Sequence, residues 1–291
     1  MNRKSIFSNT TYLITILFLA FAFTSCAFKS IKRTKGIEYL KADPSTNTDQ
    51  QKLNVFAPRK RKSKKDVLIF IHGGNWNSGK RSLYNFLGSR MARKGIVTVV
   101  IDYPLSPKAT YKEMAFASAA AVKWVKENIA KYGGDTNRIF ISGHSAGGHL
   151  SALISLDNEY FDSLGITNPI KGTILIDAAA LDMFTYLKET GLEEDDTYLK
   201  TFTKDPAEWK KASPVYYLHA GMPAFLICQG GKTYPSIKEA NEIFLKKLLP
   251  LAPNTEHYII KGKKHVAMIT QFFKTWNPRY YEITKFMKNV K

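Results

Sequence analysis

The sequence predicts an α/β fold with a mostly parallel central sheet flanked by helices. Three observations carry that expectation. Short apolar runs alternate with longer helix-period segments, several of the runs are continuously apolar, and glycine-bearing loops follow two of them. A continuous apolar strand is one covered on both faces, and strands joined through helices cross over right-handedly into parallel neighbours.

The elements follow in order. Residues 53–56 form a short strand closed by Ala57-Pro58, and residues 67–71 (VLIFI) and 96–101 (IVTVVI) form two buried strands. A helix is predicted over 111–132, with Val122, Trp124, Val125 and Ile129 on its buried side and Gly133-Gly134 ending it. A strand at 138–141 leads into a helix over 146–154. Further strands are predicted at 170–176, 223–228 and 258–260, with helices at 236–249 and 278–287. Residues 183–217, acidic at 193–196 and aromatic elsewhere, read as an irregular insertion over the strand ends, a lid or substrate wall. The domain boundaries expected are 1–25 for a leader, 26–50 for a tether with room for one edge strand, and 51–291 for the α/β domain.

Composition narrows the class. Of 291 residues 44% are hydrophobic and 23% charged, which supports a sizeable core and excludes wholesale disorder. The formal net charge is +19, from 43 Lys and Arg against 24 Asp and Glu. The one dense basic run, 59–65, comes without zinc spacing, helix-turn-helix pattern or aromatic-basic repeat, so nucleic acid is not an expected partner. A solvated turn explains that run, and contact with an anionic envelope surface is the alternative.

At the N-terminus Arg3 and Lys4 precede an apolar stretch over 12–23, short for a membrane span and long enough for the core of a signal peptide. It ends at Thr24-Ser25-Cys26, which resembles the lipobox of bacterial lipoproteins, with Phe23 where an aliphatic residue is usual. That resemblance implies lipidation at Cys26, export and a lipid-anchored place in the cell envelope. An ordinary secretory leader or an anchor helix is the alternative. With Cys26 lipidated, Cys228 has no disulfide partner, and its apolar flanks make it a small buried hydrophobe.

Two motifs carry chemistry. Gly143-His144-Ser145-Ala146-Gly147 lies between a strand and a helix, a context that projects a serine hydroxyl from the sheet at a helix N-terminus, where negative charge is favoured. His72-Gly73-Gly74-Asn75-Trp76 follows the 67–71 strand. Its glycines let backbone amides approach a reacting oxygen, so the amides of Gly73 and Gly74 with that of Ala146 would form an oxyanion hole.

On these motifs the chain resembles the α/β-hydrolase fold, in the carboxylesterase branch that includes hormone-sensitive-lipase-like and kynurenine formamidase-like enzymes. Asp102-Tyr103-Pro104-Leu105-Ser106-Pro107 adds to the likeness, with Pro104 in place of the family's Arg. The resemblance implies Ser145 as nucleophile and a histidine base on a loop after the last strand, which among six His residues only His265 fits. His72 and His144 belong to the motifs. No metal and no organic cofactor is implied.

The acid departs from the pattern. Where the family places an Asp after the seventh strand, this chain has Thr233, which cannot carry the charge that steadies an imidazolium. Asp182, after the sixth strand, is the expected substitute. A Ser-His dyad without an acid, Glu239 (in a capping-box pattern with Ser236) and Asp177 are the alternatives. The implied activity is hydrolysis of small-molecule carboxylic esters with short acyl groups. A non-catalytic binding lipoprotein, for which Thr233 is the support, and an N-formyl amide hydrolase are the alternatives.

Overall fold

The computed structural model describes residues 30–42, 49–59, 63–191 and 196–291. The leader, Cys26, residues 60–62 of the basic run and residues 193–195 of the acidic one lie outside the described residues. Residues 31–291 form one compact unit.

Its strands are β1 (Ile31–Leu40), β2 (Gln51–Pro58), β3 (Lys65–Ile71), β4 (Val97–Ile101), β5 (Gly134–His144), β6 (Ile170–Ile176), β7 (Ala224–Gly230) and β8 (Glu256–Ile260). They build a single sheet in the order β1-β2-β4-β3-β5-β6-β7-β8. Pairing is antiparallel at β1/β2 and β2/β4 and parallel from β4 to β8. The mostly parallel sheet is as expected, but the domain begins earlier than residue 51. Ile31–Leu40 is a 10-residue strand paired along β2, so much of the expected tether is sheet.

The continuous apolar strands are explained by two cores. In β3, Val67, Ile69 and Ile71 enter one cluster while Leu68 and Phe70 enter another on the opposite face. The first is covered by α2 (Tyr111–Asn128) and α3 (Ala146–Leu156), the second by α1 (Asn85–Arg93) and α10 (Arg279–Asn289). The backbone amide of Thr110 donates to Glu113 Oε2 at 2.7 Å, which fixes the start of α2. The α-helix ends at Asn128 and tightens into a 3₁₀ turn, Ile129–Tyr132, which together fill the predicted span. Helix α1 was not expected from the sequence, because Gly88 interrupts its pattern. A Cβ there would lie 2.4 Å from the Phe56 ring, so this glycine serves packing rather than a turn.

The insertion between β6 and β7 is helical rather than irregular. It holds α5 (Met183–Thr190), α6 (Thr197–Phe202) and α7 (Pro206–Lys211), after the short α4 (Glu159–Asp162) earlier in the chain. Each of the three opens on an aspartate whose carboxylate accepts a backbone amide: Asp182 from Thr185, Asp196 from Tyr198 and Asp205 from Ala207. Short helices are marginal alone, and these caps satisfy amides that would otherwise lack partners. Helices α8 (Pro235–Leu248) and α9 (His265–Thr270) complete the fold.

Candidate active site

The C-terminal ends of β3, β5, β6 and β7 converge, and each delivers one part of the site. Ser145 directly follows β5 and opens α3, with backbone angles φ 56° and ψ −121° that hold its side chain away from the sheet. The turn is closely packed. A Cβ on Gly143 would lie 2.1 Å from the Gly147 carbonyl carbon and oxygen, and one on Gly147 would lie 2.2 Å from the Ile71 carbonyl oxygen. Only glycine permits such approach, so the spacing of the motif is set by packing around the serine.

His265, the first residue of α9, brings its ring to Ser145, with Nε2 2.9 Å from Oγ. Its Nδ1 lies 2.6 Å from Asp177 Oδ2. A carboxylate accepts, so the Nδ1 proton points at Asp177 and Nε2 is left to accept the Ser145 hydroxyl proton.

The carboxylate that His265 meets is therefore that of Asp177, and Asp182, expected there, caps a helix instead. Asp182 accepts from Thr185 N at 3.1 Å and Thr185 Oγ1 at 2.8 Å, both within its own helix. Glu239 sits on α8 and lines a cavity that His265 does not, and Ser236 is inside that helix rather than capping it, since the cap position is Tyr234. Asp177 occupies the first position after β6, fully buried, with φ 49°. The parallel register pairs His144 with Ile176, which sets Ser145 and Asp177 side by side at the C-terminal ends of β5 and β6. The Asp177 amide donates to Cys228 O at 2.7 Å, turning the carboxylate toward the end of β7. There Gly230 N donates to Oδ1 at 2.7 Å and Thr233 Oγ1 donates to Oδ2 at 2.5 Å. Sequence reasoning had one available signal: a charged residue at the C-terminal end of an apolar strand, as at the Ser145 turn.

The glycine loop passes over the nucleophile. A Cβ on Gly73 would lie 3.3 Å from Ser145 Cβ. Gly73, Gly74, Ser145 and His265 share a cleft of about 760 Å³, and Ala146 is the buried first residue of α3. Trp76, Tyr186, Tyr198 and Tyr234 give the cleft an aromatic wall.

His72 and His144 of the motifs, and His149 of α3, are buried and brace the site. His149 accepts from Trp76 Nε1 at 3.2 Å and donates from Nε2 to the Ala212 carbonyl at 2.7 Å, tying the glycine loop, α3 and the insertion together. Burial lowers its pKa to about 4. His144 stacks on His265 at 4.7 Å between ring centroids, and burial, with the neighbouring His265, lowers its pKa to about 4. His72 stacks on Tyr103, and burial lowers its pKa as well. Cys228 is buried, which pushes its thiol up to about 12 and leaves it a hydrophobe.

The sequence model of the BD-FAE family matches residues 53–248. The chain belongs to the BD-FAE family. This BD-FAE chain is 28% identical over 239 residues to Esterase LipC of Mycobacterium tuberculosis, an alignment covering 77% of this chain and 58% of that protein. It is 24% identical over 237 residues to a probable isoprenylcysteine alpha-carbonyl methylesterase, ICMEL2, of Arabidopsis thaliana, covering 76% and 56%. The chain spans about half the length of the curated relatives it matches. Among solved structures, Thermogutta terrifontis esterase 2 phosphoramylated by tabun superposes with a TM-score of 0.70 at 21% identity, covering 90% of this chain and 94% of that one. Esterase B from Lactobacillus rhamnosis, in a C6-C4 SN3 inhibited form, gives 0.70 at 18%, covering 96% of each chain. The BD-FAE chain thus has the α/β-hydrolase fold.

Proposed function

We propose that the protein hydrolyses carboxylic esters through a covalent acyl-enzyme on Ser145. The observation that carries this reading is the unbroken chain of hydrogen bonds from Ser145 Oγ through His265 to the buried Asp177. In the proposed reaction Ser145 Oγ adds to the acyl carbonyl while its proton passes to His265 Nε2. The negative oxygen that forms is held by the amides of Gly73, Gly74 and Ala146. Collapse expels the alcohol, which takes the proton from His265. A water, deprotonated by the same nitrogen, then releases the acid and restores Ser145. Relatives named esterases and methylesterases support the ester class.

The reading extends to a short acyl group. Trp76, Tyr186 and Tyr198 wall the cleft and offer flat faces on which an aryl or sugar alcohol can pack, so that substrate area beyond the acyl group is bound there. Export with lipidation at Cys26 is proposed on the leader alone, and radiolabelled palmitate incorporation that survives Cys26→Ser would end it.

The deciding experiment is hydrolysis of p-nitrophenyl acetate, butyrate and octanoate by the wild-type chain and by Ser145→Ala. The expected result is turnover that favours acetate and falls by at least about 10⁴-fold in the variant. A rate unchanged by Ser145→Ala overturns the serine mechanism, and a preference for octanoate overturns the short acyl group.

A further inference from the structure

The mouth of the catalytic cleft opens beside a surface that the ester chemistry does not use. Leu83 and Val266 line the cleft and are 58% and 61% exposed. Ile269 lines the same cleft but is buried, and Phe273, which is 54% exposed, stacks on Phe86 at 4.2 Å between ring centroids. Trp276, three residues on, is 79% exposed. Soluble surfaces scatter such side chains singly, and a contiguous group marks an interaction site.

The charge around the group is one-sided. Residues 80–94 contain five Lys and Arg and no Asp or Glu, and residues 261–281 contain five more and again no acid. Arg81 pairs with Asp102 and Arg279 with Glu282. Lys264 and Lys274, which flank the apolar group, are exposed and make no ion pair among the described residues. Exposed aromatic side chains set among lysines are the chemistry of an interface with anionic lipid, where rings sit at headgroup depth and ammonium groups meet the phosphates.

We propose that the face formed by Leu83, Phe86, Val266, Phe273 and Trp276 docks on a bilayer surface bearing anionic headgroups, with the cleft mouth at the interface. The inference is independent of the hydrolytic reading, because docking can be measured without turnover.

The test uses the full chain with vesicles of phosphatidylcholine alone or mixed equally with phosphatidylglycerol, each with brominated acyl chains. Trp276 fluorescence is isolated by subtracting the signal of Trp276→Phe, which removes one of four tryptophans. Residues 1–29 are present in every variant, so what they contribute cancels. The expected result is quenching of Trp276 by at least half on the anionic vesicles and little on the neutral ones. Partitioning should weaken at least about tenfold in Lys264→Glu/Lys274→Glu, and similarly for wild type in high salt, which needs no variant to fold. Equal quenching on both vesicles, or none, overturns the proposal. So does Trp276 that acrylamide cannot reach in the lipid-free chain, since another surface then already covers it.

Discussion

Thr233 Oγ1 and His265 Nδ1 donate to the same oxygen, Asp177 Oδ2, at 2.5 and 2.6 Å. The position where the resemblance expects an acid thus holds a hydroxyl that binds an acid supplied by the neighbouring strand. With Gly230 N on the other oxygen, three donors meet the carboxylate, and its burial leaves neither oxygen unpaired. The change that seemed to argue against catalysis is one half of a rearranged pair.

Exchanging the two candidate acids separates them. In Asp177→Asn the His265 ring loses the acceptor that fixes its tautomer, and kcat should fall about 10⁴-fold. Asp182→Asn keeps a good helix cap and should leave kcat within about twofold. Steady-state hydrolysis of p-nitrophenyl acetate checks both. A large loss in Asp182→Asn with none in Asp177→Asn would return the role to Asp182.

Thr233 has a measurable share in the acid. Thr233→Val keeps the shape and removes a hydrogen bond to a charged group, so kcat/KM should fall by about 10- to 100-fold, while Thr233→Ser stays near wild type. Thr233→Asp alone sets two buried carboxylates against each other and should lower both stability and rate. Combined with Asp177→Asn it restores an acid beside His265 and should recover activity over the single Asp177→Asn variant. Without any recovery, the two positions are not interchangeable and the shared-oxygen argument fails.

How much of this could be read from the chain differs by element. β3 and β7 were legible because burial on both faces leaves an unbroken apolar run such as VLIFI or AFLIC, and β4 and β6 because their runs are mostly apolar. β1 was legible only as room for one edge strand in 26–50, because its exposed, charged pattern IKRTKGIEYL carries no apolar run to place it. The meeting of Ser145 and His265 was legible from local motif and chain order. Asp177 was not, because its role depends on the register that pairs His144 with Ile176 and on a backbone turn after β6, neither of which spacing encodes. Asp182 misled because cap and catalytic acid ask for the same residue type after a strand, and the three Asp-capped short helices of the insertion become a pattern only once their starts are known.

The turn around Ser145 should respond to architecture and chemistry separately. Ser145→Ala removes the oxygen proposed to react and should leave urea unfolding near wild type. Gly147→Ala puts a methyl 2.2 Å from the Ile71 carbonyl oxygen, so backbone must move. It should cost about 3 kcal/mol or more and carry activity down with it. A Gly147→Ala protein with unchanged stability would mean that the turn is looser than the packing indicates.

Acid should weaken the fold through His144 and His149. Both are neutral in the folded chain, with pKa lowered from 6.5 to about 4 by burial, aided at His144 by the neighbouring His265. Between those values the unfolded chain binds protons that the folded one does not. Stability therefore rises with pH across this window and is complete only above about 6.5. Acidifying from about pH 7.5 to about pH 5 should cost up to about 4 kcal/mol for the two together. Urea midpoints across this range read the slope. In His149→Leu the slope should shrink by about half, although stability at neutral pH also drops because Trp76 Nε1 and the Ala212 carbonyl lose their partner. A slope unchanged by that substitution would assign the acid sensitivity to other groups and leave the two neutral histidines beneath the active site with no part in it.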